Sequence, residues 1–207
     1  MTKAANASGS IMSLLDYNNM DIMPVLAGTF YGLFRNCTTL REPPELPATS
    51  LGHRCYNSMF RNSGVIRMPA LPATRLYESC YDKMFRDCPN LVEVSELPAT
   101  TLAEKCYSSM FDGCTNLQTA PELPATTLAR NCYTDMFVNC TNLQTAPKLP
   151  ATTLAENCYQ SMFYGCSNLQ TAPALPATNL ANYCYQSMFN GCTSLTQAPM
   201  LPASSLA

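Results

Sequence analysis

Apolar residues recur along this chain in a block that repeats many times. Between 149 and 174, Leu154, Cys158, Met162 and Cys166 stand four residues apart, with Tyr159 and Phe163 beside them. That spacing predicts the apolar face of an amphipathic helix of about three turns. Thr153 and Glu156 form a Thr-x-x-Glu capping box at its start, as Thr101 and Glu104 do two units earlier. Gly113, Gly165 and Gly191 suit the left-handed residue that closes a helix. The run that follows, Asn168 to Pro176, is too rich in proline for a central antiparallel strand. It suits a short strand that pairs through a few residues only.

Aligned on Leu-Pro-Ala, the units begin at Leu46, Leu71, Leu97, Leu123, Leu149 and Leu175, and a seventh starts at Leu201. The period is 26 residues, and 25 in the first unit, where one residue is missing between Ile66 and Pro69. A repeat of this length signals a solenoid or propeller. A lone strand-plus-helix unit cannot bury its apolar face, whereas stacked units can. The expected fold is therefore an α/β solenoid, a right-handed arc with one short parallel strand on the concave side and one helix on the convex side of each repeat.

Three regions are expected. Residues 1–19 form an N-terminal tail and cap, with Met1 to Gly9 loose and Ile11, Met12, Leu14 and Leu15 packing over the first open end. Residues 20–45 are a degenerate half-repeat, in which Phe30, Leu33, Phe34, Cys37 and Leu40 stand 26 residues before Tyr56, Met59, Phe60, Ser63 and Ile66. Residues 46–207 hold six repeats and a truncated seventh. The far end carries no comparable cap, so it is expected to expose core, and either to meet another chain or to continue in a longer protein.

Composition excludes several classes of partner. With 12 Lys+Arg against 14 Asp+Glu and a net charge of −2, no basic stripe exists for nucleic acid. No apolar run is long enough to cross a membrane, and the first twenty residues lack a secretory signal's apolar stretch.

The twelve cysteines fall on two repeat positions. Cys80/Cys88, Cys106/Cys114, Cys132/Cys140, Cys158/Cys166 and Cys184/Cys192 are pairs eight residues apart, and Cys37 and Cys55 occupy the same positions singly. Eight residues of helix rise about 12 Å, too far for a disulfide, which needs Cα atoms within roughly 7 Å. Two readings remain: links between successive units, such as Cys114 to Cys132, or free buried thiols stacked in ladders. Ser63 and Thr29 at cysteine positions favour packing over a covalent role. No Cys-x-x-Cys occurs and His53, the one histidine, has no repeated partner, so no metal site is expected.

Tyr56, Tyr81, Tyr107, Tyr133, Tyr159 and Tyr185 recur once per unit, and an aromatic stripe of this kind suits carbohydrate. Each follows a core cysteine and precedes a core phenylalanine by four, which favours packing between helices with the hydroxyl at the edge. Catalysis needs acids, bases or nucleophiles converging in one pocket, and the repeats supply none, so neither catalytic residues nor a cofactor are expected. The most divergent unit, from Leu46, has His53, Arg54, Arg61 and Arg67 without a carboxylate of its own, a weak candidate for an anion.

The variable positions point to a face. One row precedes each Leu-Pro, including Glu122 and Lys148, and beside it run Gln118, Thr119, Gln144, Thr145, Gln170, Thr171, Thr196 and Gln197. Together these ten residues are the candidate binding surface, because solenoids bind partners on the strand side.

The pattern Cys-Tyr-x-x-Met-Phe-x-Gly-Cys-x-x-Leu-x-x-Ala-Pro-x-Leu-Pro resembles the bacterial leucine-rich repeats of the Bacteroides surface protein A type. The likeness rests on Phe111, Cys114, Leu117 and Leu123-Pro124, and on Phe137, Cys140, Leu143 and Leu149-Pro150 one unit later. It runs from about Phe30 to the end, and departs from the family by a longer unit, by Cys-Tyr in place of Ile-Gly and by an extra residue before Leu-Pro. The resemblance implies a leucine-rich-repeat-like array at the cell surface or outside it, in gut bacteria or on a phage particle. Such arrays adhere to or recognise a protein or glycan. The alternative is a purely structural spacer or assembly element that associates end to end through its last repeat.

Overall fold

The computed structural model describes residues 5–6, 8–14 and 26–203. Each repeat makes one coil of a solenoid, but the run expected to be a helix takes another form. In the coil from Leu97, φ is positive at Lys105 (54°), Ser109 (50°) and Gly113 (75°), and in the next at Asn131, Asp135 and Asn139. An α-helix tolerates no such residues. Each is the third residue of a tight turn closed by a bond from residue i+3 to residue i: Cys106 N–H to Ala103, Met110 to Tyr107, Cys114 to Phe111. A positive φ at that place is what a type II turn requires. The intervening N–H groups point along the solenoid: Tyr107 donates to Cys132 O at 3.1 Å, Ser109 to Thr134 O at 2.8 Å and Phe111 to Met136 O at 2.9 Å. Alternate amides thus bond within the turn ribbon and to the next coil, and the backbone is satisfied without a helix.

The physical reason lies in the spacing. Residues four apart drift by about 40° per step around an α-helix. From Leu154 to Cys166 the drift reaches about 120°, so a helix would carry one end of the row out of the core. The turn ribbon has a true period of four, and Cys158, Tyr159, Met162, Phe163 and Cys166 are all buried. At every fourth place it uses Asn, Asp, Ser or Gly in most coils, residues whose short side chains tolerate the left-handed region.

The proline-rich run behaves as a minimal strand. Single parallel bridges join Thr119 to Thr145 and Thr145 to Thr171, and a second column joins Thr101 to Thr127 and Thr153 to Asn179. Between the columns side chains alternate, with Pro121, Leu123 and Ala125 inward and Glu122, Pro124 and Thr126 outward.

At the N-terminal end, β1 (Ala5–Asn6) pairs in parallel with β2 (Leu40–Glu42), so part of the tail expected to be loose is a strand. Ser10 bridges Glu45 and a short 3-10 helix spans Ile11–Leu14, with Ile11 and Met12 buried and Leu14 exposed. Met1 to Ala4, Ala7, Leu15 to Val25 (with the Leu15–Tyr17 part of the cap) and Ser204 to Ala207 of the seventh unit lie outside the described residues.

The short first unit is explained by Gly64, and the missing residue is not between Ile66 and Pro69. Phe60 stacks on Phe85, a separation of 25, whereas Arg67 already bridges Glu93, a separation of 26. Between Ser63 and buried Val65, Gly64 alone stands where the next coil has Pro89-Asn90. A Cβ there would collide with the Thr38 carbonyl and the Arg41 guanidinium, which leaves glycine.

Two ring columns fill the core. Phe30 and the six repeated tyrosines stack in one, Phe34 and the phenylalanines from Phe60 to Phe189 in the other. In the central coils the separations are 5.7 Å for Tyr81 on Tyr107 and 5.5 Å for Phe111 on Phe137, within the usual range for offset stacking. The tyrosine hydroxyls are not all at an edge, for those of Tyr56, Tyr81 and Tyr107 are buried and make no hydrogen bond among the described residues. An unpaired buried hydroxyl costs about 1 to 3 kcal/mol. Tyr107→Phe is therefore expected to raise stability by about 1 kcal/mol, read as a later urea midpoint; an earlier midpoint would mean that the hydroxyl is paired in solution.

Candidate functional site

The outward residues of the proline-rich run build one continuous face. Gln118, Thr119, Glu122, Gln144, Thr145, Lys148, Gln170, Thr171, Thr196 and Gln197 are all exposed. Their coils are held in register by the threonine bridges and by backbone bonds from Gln144 to Gln118 (3.3 Å) and from Gln170 to Gln144 (3.1 Å).

Shallow grooves run between neighbouring coils on this face. One of about 600 Å³ brings Gln170, Thr171, Thr196 and Gln197 together over Pro173 and Met200. A smaller one of about 280 Å³ sets Lys148 among Pro147, Pro150, Pro173 and Pro176. Two further grooves repeat the arrangement nearer the N-terminus, one beside Glu45 and Arg67 and one beside Glu96. The proline of each Leu-Pro, exposed at Pro72, Pro124, Pro150, Pro176 and Pro202 and half-buried at Pro47 and Pro98, carries no signal of variability because the position is invariant. The exposed column Thr74, Thr100, Thr126, Thr152 and Thr178 was missed for the same reason.

The basic residues of the first unit are not brought together for an anion. His53 and Arg54 face Glu78 at 3.7 and 3.6 Å, Arg61 faces Asp87 at 3.4 Å, and Arg67 pairs with Glu42. The partner carboxylates come from adjoining coils, since the unit from Leu46 has none of its own.

All twelve cysteines are free, and all but Cys37 are buried. One ladder contains Cys80, Cys106, Cys132, Cys158 and Cys184, the other Cys88, Cys114, Cys140, Cys166 and Cys192. In the second ladder each thiol donates to the phenylalanine carbonyl of the coil before: Cys88 to Phe60 at 3.0 Å, Cys114 to Phe85 and Cys140 to Phe111 at 3.1 Å, Cys166 to Phe137 at 3.0 Å and Cys192 to Phe163 at 3.1 Å. Burial pushes the Cys88 thiol up to about 11 and those of Cys132 and Cys158 to about 12. These thiols stay protonated at neutral pH, and the nucleophile is the thiolate. Among the described residues no group of three or more His, Cys, Asp or Glu side chains is placed to hold a metal ion. Nor is any helix there long and apolar enough to cross a membrane.

The family model for the BspA-type leucine-rich repeat region matches residues 30–144 and 122–204, in six copies. The chain belongs to the BspA-type leucine-rich repeat family. Leucine-rich repeats of this kind are generally non-enzymatic interaction modules. In this BspA-type array the family's Phe, Cys and Leu positions are the buried columns, as at Phe111, Cys114 and Leu117. No curated protein matches the chain, and no solved structure does either.

Proposed function

We propose that this chain is a non-enzymatic, surface-exposed recognition module that holds a protein or glycan ligand against its proline-and-threonine face. The observation that carries the reading is the register of that face: ten exposed polar side chains repeat from coil to coil beside apolar grooves. Glutamine and threonine offer donors and acceptors, while the proline rings offer apolar contact, the mixture that binding sites combine. The coil-to-coil repeat suits a ligand extended along the solenoid, with Glu122 and Lys148 as the charged groups that orient it. The family's association with surfaces supports the location.

The test is binding of the purified chain to arrays of glycans and surface proteins, beside the double variant Glu122→Ala, Lys148→Ala. Both side chains are exposed, so the variant is expected to keep its melting temperature. It is expected to lose about tenfold or more in affinity for any ligand the chain retains, as truncating a central contact does. A ligand held equally well by the variant would move the site off this face, and an empty array would remove the reading.

A further inference from the structure

The grooves of the strand face open where its variable column holds alanine. That column reads Glu45, Ala70, Glu96, Glu122, Lys148 and Ala174 from coil to coil. Ala70 lines a groove on each side of itself, one of about 460 Å³ shared with the coil of Glu45 and one of about 290 Å³ shared with the coil of Glu96. Ala174 does the same, with Lys148 in the lining on one side. A long outward side chain covers the seam between coils, whereas a methyl group leaves it open.

The hollow at Ala70 combines apolar walls with uncompensated negative charge. Pro47, Pro72 and Pro98 wall it, and Glu45 and Glu96 stand at its two ends. Both glutamates are exposed and, like Glu93 and Glu122 near them, make no ion pair with a described residue. Arg67, the cation in the lining, is already held by Glu42, and Arg75 lies over the Tyr77 ring outside the hollow. Glu96 and Glu122 are neighbours in one column, where like charges repel. A lysine or arginine side chain matches both features, its methylene stem against the prolines and its charged head between the carboxylates. None of the grooves on this face is lined by an aromatic side chain. A sugar ring therefore has no ring to lie against, which favours a polypeptide over a glycan.

The order of charges gives the ligand a direction. Lys148 comes three coils after Ala70, about 14 Å at the usual spacing of neighbouring strands, which an extended chain covers in about four residues. We infer that the strand face takes an extended segment of a partner protein, with a lysine or arginine seated in the hollow at Ala70 between Glu45 and Glu96. An acidic side chain about four residues away meets Lys148. This rests on the recognition face proposed above and names the class of its ligand.

Fluorescence anisotropy with the labelled peptide Thr-Lys-Thr-Lys-Thr-Glu-Thr and its reversal Thr-Glu-Thr-Lys-Thr-Lys-Thr tests it. The parent chain is expected to bind one of the two, more weakly as salt is added, and to ignore the charge-swapped Thr-Glu-Thr-Glu-Thr-Lys-Thr. Ala70→Leu fills the hollow and leaves every charge in place, while the double variant Glu45→Gln, Glu96→Gln removes the charges and keeps the shape. Each is expected to weaken binding about tenfold or more, and Glu104→Gln, exposed and outside the grooves, to leave it unchanged. Ala70, Glu45 and Glu96 are exposed, so the melting temperature is expected to stay that of the parent. Equal binding of the charge-swapped peptide, or binding undiminished in Ala70→Leu, would overturn the inference, as would binding of neither peptide order. In that last case a ligand retained on the arrays and lost with Glu122→Ala, Lys148→Ala would leave the recognition face standing, whereas an empty array would remove both.

Discussion

Raising the pH from about 8 to about 10 is expected to unfold this chain, because the thiol ladders are neutral only while buried. An unfolded cysteine here ionises at 9.0, whereas burial carries Cys55, Cys80, Cys132, Cys158 and Cys166 to about 12 and Cys88 to about 11. Cys106, Cys114 and Cys140 are raised in the same direction by the same cause. A thiol whose folded pKa is raised contributes its full stability below the unfolded value. That stability is lost as pH climbs through the window from 9 toward 12, where only the unfolded state releases protons.

At pH 10, one unit above the unfolded value, a thiol held at about 11 to 12 when folded costs on the order of 1 kcal/mol. The thiols carried to about 11 or 12, those of Cys55, Cys80, Cys88, Cys132, Cys158 and Cys166, together cost several kcal/mol, a large share of the stability of an ordinary domain. The tyrosine column adds to the effect at higher pH, since burial raises Tyr81, Tyr107 and Tyr133 well above their usual value. Urea midpoints taken at pH 7, 8, 9 and 10 by circular dichroism in reducing buffer read this directly. A midpoint flat to pH 10 would mean that the thiols ionise without the coils opening, and that the ladders are wetter than their burial indicates.

Much of this architecture was legible in the sequence, and the part that was not has a definite cause. The repeat length, the stacking of coils and the parallel pairing through few residues follow from Leu-Pro-Ala recurring with prolines around it. The buried columns follow from the constant identity of Cys, Tyr, Met, Phe and Leu. The helix did not follow, because a spacing of four was read as the helical period of 3.6, and the difference accumulates over three steps. The decisive signal lay between the apolar pairs, in Asn131, Asp135 and Asn139 and in Lys105, Ser109 and Gly113, which share one backbone conformation without sharing a residue type. Variability placed the polar residues of the candidate face on one surface, as the structure does. It was blind to the invariant prolines and threonines beside them, and to salt bridges such as Arg61 to Asp87, which join residues 26 positions apart.

The same constancy sets what a core truncation should cost. Phe111 is fully buried and lies between Phe85 at 5.9 Å and Phe137 at 5.5 Å, with planes within 8° of parallel. Phe111→Ala deletes a ring with a neighbour on each face, and the coils cannot collapse into the space because their backbones are tied by the Phe111 to Met136 bond on one side and the Phe85 to Met110 bond on the other. The expected loss is about 4 kcal/mol, the middle of the range for a buried phenylalanine whose cavity persists. Phe189→Ala removes the same atoms from the end of the column, where Phe163 at 5.8 Å is the one described ring neighbour, and is expected to cost only about 1 to 2 kcal/mol. Stability in a solenoid is a sum of unit terms and nearest-neighbour terms, so the difference between the two variants estimates one coil-to-coil interface. Because such arrays unfold from their ends, Phe111→Ala should also split the urea transition, with the halves on either side of residue 111 losing structure separately. Equal losses at the two positions, in a single unbroken transition, would show that the coils fold as one cooperative block rather than through their neighbours.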